Sequence, residues 1–222
     1  MKLTNLTTYH QDEFVFQSAL TIKKVIEEFT SSKNKINIAL SGGSTPLPIY
    51  KKLREFDLNW DAINFFIVDE RCVAHDDDQS NYKNIHEALF SHIPSKAYPL
   101  VKEEMLYDKA ASDYQTLIAE MITEVDNYPQ FDLMILGMGL DGHTASLFPN
   151  TQALNNKKDL VVLNQVPHLN CERITMTYPL ILNSKKIILI IKGEEKKAAL
   201  YNAIENDLPV AKVINKVDYI LN

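Results

Sequence analysis

Short runs of almost unbroken apolar residues recur along the chain, at positions 36–40, 63–68, 131–136, 160–163 and 187–191. Each has the length of a strand, and none alternates strictly with polar residues. The segments between them carry helical spacing instead. Val15, Ala19, Ile22, Ile26 and Phe29 form an apolar stripe advancing by three or four residues, and Ala110, Tyr114, Leu117, Met121 and Val125 form a second. Both predict helices whose stripes face a core. Strands that are apolar throughout are those covered on both sides, so the expected fold is α/β: a doubly wound, mostly parallel sheet with helices on both faces. No internal repeat, low-complexity segment or Pro/Gly/Ser linker divides the chain, and residues 1–222 read as a single domain. The most loop-like stretches are 72–80 and 149–158.

In open α/β sheets, ligands gather outside the carboxyl ends of the strands. Those positions are polar here: SGGSTP follows residue 40, DERC follows 68, GMGLDGH follows 136 and KGEEKK follows 191. If the strands are parallel neighbours, residues 41–45, 69–71, Asp141, His143 and Lys196 share one crevice. Ser41, Gly42, Gly43, Ser44, Thr45 and Pro46 make a strand-to-helix turn in which two glycines let backbone N–H groups approach an anion. Ser44 is placed to cap a helix starting near Thr45, with Pro46 tolerated in its first turn. The turn lacks the GxxxxGK[ST] pattern of a nucleotide P-loop, and taken alone it is equally an ordinary helix start. Asp69, Glu70 and Arg71 offer a guanidinium fork suited to phosphate, or else a plain salt-bridge cluster.

His75, Asp76, Asp77 and Asp78 resemble metal ligands in composition. No second histidine lies at ligand spacing, so a solvated loop is the expectation and no metal is assigned. Cys72 reads as a packed small hydrophobe.

Gly137, Gly139 and Gly142 make a literal GxGxxG, the fingerprint of a dinucleotide site. Such a site needs a crossover helix after the glycines and an acidic residue at the end of the next strand. Pro149 and Asn150 interrupt too soon for that helix, and the next apolar run is followed by Asn164 and Gln165. The glycines are better read as a turn that places Asp141 beside His143, a side chain suited to take a proton near neutral pH.

Composition narrows the partners. A net charge of -6 with basic residues scattered in pairs argues against nucleic acid or an anionic membrane surface. Two cysteines in no CxxC spacing, and no apolar run long enough to span a bilayer, fit a protein of the reducing cytoplasm.

Taken together, SGGSTP, VDERCV with SNY at 80–82, GMGLDGHTASLFP, RITMT and GEEKKA resemble, in order, the motifs of the 6-phosphogluconolactonase family. The resemblance covers roughly residues 41–198. It implies hydrolysis of 6-phospho-D-glucono-1,5-lactone to 6-phosphogluconate in the oxidative pentose phosphate pathway, without metal or organic cofactor; a monomer or weak homodimer is expected. It implies catalysis by His143 with Asp141 and Asp69, and phosphate binding by Ser41, Gly42, Gly43, Ser44, Thr45, Arg71, Arg173 and Lys196; for Arg173 it is the only argument. Two rivals stand beside it. Glucosamine-6-phosphate deaminases share a DGH segment but continue with Asn-Glu-Pro, where Leu147, Phe148, Pro149 and Asn150 stand here. A non-catalytic sugar-phosphate sensor on the same fold would be expected to carry a DNA-binding module, for which neither end has room.

Overall fold

The computed structural model describes residues 3–102 and 106–222. In chain order the elements are β1 (Leu6–Thr7), α1 (Phe14–Thr30), β2 (Ile36–Leu40), α2 (Pro46–Leu53), β3 (Ile63–Ile67), β4 (Asp69–Arg71), α3 (Asn81–Ala88), β5 (Lys96–Tyr98) and α4 (Tyr107–Met121). There follow β6 (Glu124–Val125), β7 (Tyr128–Pro129), β8 (Leu133–Gly137), β9 (Val161–Val166), β10 (Cys171–Met176), α5 (Tyr178–Leu182), β11 (Lys186–Ile190), α6 (Gly193–Glu205), α7 (Ala211–Ile214) and β12 (Tyr219–Leu221).

One seven-stranded sheet runs in the order β1-β12-β11-β8-β2-β3-β5. Every neighbouring pair in it is parallel. Its central strands β8 and β11 are buried along almost their whole length, as their unbroken apolar runs predict. The chain moves from β1 to β2, β3 and β5 in one direction across the sheet, and from β5 back through β8 and β11 to β12 in the other. Right-handed crossovers therefore put α1, α2 and α3 on one face and α4 to α7 on the other. The packing agrees: α1 lies on α2 and α2 on α3, while α7 touches both α5 and α6. Winding reverses between β2 and β8, which makes the gap above their carboxyl ends the switch point of the sheet.

Helix α1 buries Phe14, Ala19, Ile22, Val25 and Ile26, close to the stripe read from the sequence. The second stripe needs correcting. Helix α4 ends at Met121, with Ile118 rather than Leu117 fully buried, and Val125 lies beyond it in β6. Asp126 and Asn127, at φ 52° and 69°, form a two-residue turn joining β6 to β7. Consecutive left-handed residues of this kind suit a tight hairpin and cannot continue a helix.

The apolar run at 160–163 is also placed differently. It belongs to β9, which extends to Val166 and pairs antiparallel with β10 in a separate three-stranded sheet, β4-β10-β9. Residues 69–71 are thus not a loop after β3 but a strand that leaves the main sheet and joins the small one. Below the sheet, at the amino end of β8, buried Asp132 accepts the N–H of Asn37 at 3.0 Å and pairs with Lys33 and Lys185. Among the described residues, no helix is long and apolar enough to cross a membrane.

Candidate active site

A cavity of about 240 Å³ opens above the switch point. Its lining of glycine backbone, hydroxyl, carboxylate and cationic side chains suits a small polar metabolite. Its wall combines the turn after β2, Asp69 and Arg71 of β4, Asn81 of α3, the loop after β8 with His143, and Lys196 of α6. Of the residues anticipated at the site, Ser41, Gly42, Gly43, Ser44, Thr45, Asp69, Arg71, His143 and Lys196 line this one space. Asp141 reaches it through His143. Arg173 does not line it.

In the turn after β2, Gly43 takes φ 105°, a conformation that glycine adopts without steric cost. Gly42 is required for a different reason: a methyl on its Cα would fall 2.0 Å from Oδ1 of Asn81. Ser44 does not cap the following helix. Thr45 occupies the cap position and no side chain caps α2; Pro46 and Pro48 carry no N–H and that of Leu47 donates to the Gly43 carbonyl at 3.4 Å, so the backbone donors beside the cavity belong to the turn before the helix. Tyr50 supports the turn from beneath, donating from its hydroxyl to the Ser41 carbonyl at 2.9 Å. Burial, with the charge of Asp69 adding to it, holds that phenol far above its ordinary value and so protonated.

Along β4, neighbouring residues have separate tasks. Glu70 points away from the cavity and accepts the N–H groups of Arg71, Asn81 and Tyr82 at 2.7, 2.6 and 2.8 Å. It also accepts the Ser80 hydroxyl at 3.2 Å, while Ser80 itself caps α3 through the Lys83 N–H. Burial raises the Glu70 carboxyl against the lowering pull of those backbone donors. The Arg71 guanidinium bonds the Gln79 carbonyl and lines the cavity. Arg173, expected at the start of a strand, is the third residue of β10 and the direct cross-strand partner of Arg71. Its guanidinium rests near the Glu172 carbonyl at 3.3 Å.

Asp69 is buried, and its Oδ2 accepts the Ser146 hydroxyl at 2.6 Å. Burial pushes the Cys72 thiol up to about 12, which suits packing rather than nucleophilic attack. In the acidic run, Asp77 accepts the Gln79 N–H at 2.7 Å and Asp78 pairs with Lys83 at 2.6 Å. These carboxylates serve their own loop.

After β8 the GxGxxG forms a loop. Residues 138–151 contain no helix, and the next helical turn is the short 3-10 segment Gln152–Asn155. Gly139 donates to the His143 carbonyl at 2.9 Å and accepts from the Gly142 N–H at 3.1 Å, closing a tight turn. Within it, Nδ1 of His143 meets Oδ1 of Asp141 at 2.6 Å. The imidazole also stacks on Phe148, with ring centroids 4.1 Å apart. Burial pushes the Asp141 carboxyl up, but its bonds with His143 outweigh that and hold it below the ordinary carboxylate range. A carboxylate on Nδ1 favours the tautomer protonated there, leaving the lone pair on Nε2. Two residues later Ala145 adopts φ 50°, a strain of roughly 1–3 kcal/mol for a residue with a Cβ. Lys196, in the first turn of α6, donates to the Met138 carbonyl at 2.8 Å.

The family model for glucosamine-6-phosphate isomerases/6-phosphogluconolactonase matches residues 9–220. The chain belongs to this family. A curated family member from Thermotoga maritima, a 6-phosphogluconolactonase, is 39% identical over 194 residues, covering 84% of this chain and 82% of that protein. The crystal structure of a Thermotoga maritima 6-phosphogluconolactonase superposes with a TM-score of 0.82 at 36% identity, over 93% of this chain and 94% of the other. The Trypanosoma brucei 6-phosphogluconolactonase superposes with a TM-score of 0.85 at 27% identity, over 98% and 95%. Against this family frame, sequence reasoning gave no role to Tyr50, Asn81 or Ser146. Asn81 had a visible signal in its SNY motif; the other two are ordinary core or loop residues until the chain is folded.

Proposed function

We propose that this protein hydrolyses 6-phospho-D-glucono-1,5-lactone to 6-phosphogluconate, the second step of the oxidative pentose phosphate pathway. The observation that carries the reading is the Asp141–His143 pair at the wall of a metabolite-sized cavity that also holds a glycine turn, Arg71 and Lys196. Nε2 of His143 takes a proton from water as the water adds to the lactone carbonyl. The tetrahedral intermediate then collapses, the bond from the carbonyl carbon to the ring oxygen breaks, and the imidazolium returns its proton to that oxygen. Asp141 holds the ring and balances its transient charge. Asp69 accepts a sugar hydroxyl, and the turn of Gly42, Gly43, Ser44 and Thr45 binds the 6-phosphate with Arg71 and Lys196, with Arg173 beside Arg71 adding positive charge.

Deamination of glucosamine 6-phosphate is the less favoured reading, because Phe148 stacks on the imidazole in the segment where the deaminases carry Asn-Glu-Pro. The test is a coupled assay in which lactone is formed by oxidising glucose 6-phosphate. Hydrolysis well above the spontaneous rate is expected. A rate equal to the spontaneous one would refute lactonase activity, and ammonia release from glucosamine 6-phosphate would favour the rival.

A further inference from the structure

The loop that carries His143 also grips Asp69, through a residue the proposed chemistry leaves unused. Ser146 is buried, and its polar atoms are engaged at three points. Its hydroxyl donates to Oδ2 of Asp69 at 2.6 Å, its N–H donates to the Thr175 hydroxyl at 3.1 Å, and its carbonyl accepts from Nδ2 of Asn164 at 2.9 Å. Thr175 and Asp69 are direct cross-strand partners in the β4-β10 pairing, so their side chains share one face of the small sheet. Ser146 sits across both. The Thr175 hydroxyl donates its own hydrogen bond to the Met176 carbonyl at 3.0 Å, which leaves its oxygen free to accept from Ser146. Asn164 is the β9 residue that ties Ser146 to Thr151 as well, at 3.1 Å.

The geometry fixes one carboxylate oxygen and spares the other. Oδ2 of Asp69 is committed to Ser146, while Oδ1 takes no hydrogen bond from the described residues and Asp69 lines the cavity. The left-handed Ala145 turns the chain so that His143 and Ser146, three residues apart, reach the cavity and the small sheet respectively. From this arrangement we infer that Ser146 is a positioning residue: it orients the Asp69 carboxylate so that Oδ1 accepts a hydroxyl of the bound sugar. Thr175 and Asn164 hold Ser146 in place. The small antiparallel sheet thus has a purpose in the reaction, since it builds the platform on which Asp69 and Ser146 meet. The inference rests on the lactonase reading and on the role given there to Asp69.

A double-mutant cycle tests it. Ser146→Ala is expected to lower kcat/KM for the lactone roughly tenfold or more in the parent, and to change it by no more than about twofold when Asp69 is already Asn. Equal losses in both backgrounds would overturn the inference, because a merely structural serine would harm both alike. Full activity of Ser146→Ala would overturn it too. Circular dichroism reports whether each variant folds; should the alanine variant fail, Ser146→Cys, close in size and a weak donor, enters the same cycle and must show the same non-additivity. Calorimetric binding of 6-phosphogluconate is read in parallel on every variant. A parent chain that binds this product yet leaves the lactone at its spontaneous rate would refute the lactonase reading alone, with the cycle still legible in affinity.

Discussion

Gly139 lies directly beneath the imidazole of His143: a methyl on its Cα would fall 2.2 Å from both Cε1 and Nδ1 of the ring, and 2.4 Å from Oδ1 of Asp141. Its glycine identity therefore serves the Asp–His pair and not a nucleotide phosphate. Gly139→Ala is expected to displace the ring and cut kcat by about 100-fold or more, since a shift of about 1 Å in a catalytic group costs that much. Thermal unfolding should change comparatively little. An alanine variant with parental kcat would refute this account of the glycine.

His143→Ala removes the proposed base. A loss of roughly 10²–10⁴ in kcat is expected, with KM changed much less, as befits a group acting mainly in the transition state. Steady-state kinetics on freshly generated lactone measure it. Near-parental turnover would move the base elsewhere.

The two arginines paired across β4 and β10 should differ. Arg71 lines the cavity and Arg173 stands beside it on the neighbouring strand. Arg71→Ala is expected to raise KM for the phosphorylated lactone roughly tenfold or more, with a smaller rise for Arg173→Ala. The reverse order would show that Arg173 is the main phosphate contact.

The Asp141–His143 pair links stability to pH. Despite burial, its bonds to His143 leave Asp141 below the ordinary carboxylate range in the folded protein. Such a group stabilises the fold above its unfolded value, about pH 4, and that stabilisation is lost as pH falls through the lower folded value. The parent should therefore resist urea unfolding better than Asp141→Asn at neutral pH, and the gap should narrow as the pH is lowered below about 4. A gap constant over the whole range would contradict the assignment.

Glu70 anchors the start of α3 and, through it, Asn81 against Gly42. Glu70→Ala leaves three N–H groups, that of Asn81 buried and those of Arg71 and Tyr82 partly so, without their acceptor and should cost about 1–3 kcal/mol of stability. Glu70→Gln, which keeps one acceptor oxygen, should cost less. Chemical denaturation of the two variants makes the comparison.

Much of this could be read along the chain. Strands β2, β3, β8 and β11 were legible because a strand buried on both faces is apolar without interruption. The turns after them were legible because strand ends in such sheets are where polar residues have a use. The strands β1, β5 and β12 were not, being only two or three residues long. The run at 160–163 reads as a strand of the main sheet yet belongs to the small one, because apolar periodicity carries no information on a strand's partner.

By itself, the sequence determined the α/β alternation, the glycine turns and the adjacency of Asp141 and His143. All of these depend on residues a few positions apart. Tertiary structure alone decided that Arg173 stands opposite Arg71, that Glu70 serves α3 and not the cavity, and that Ser146 meets Asp69 across 77 positions of chain. Local spacing specifies periodicity and turns. Which distant strands pair, and in what register, is settled only when the whole core packs and each buried polar group must find its partner.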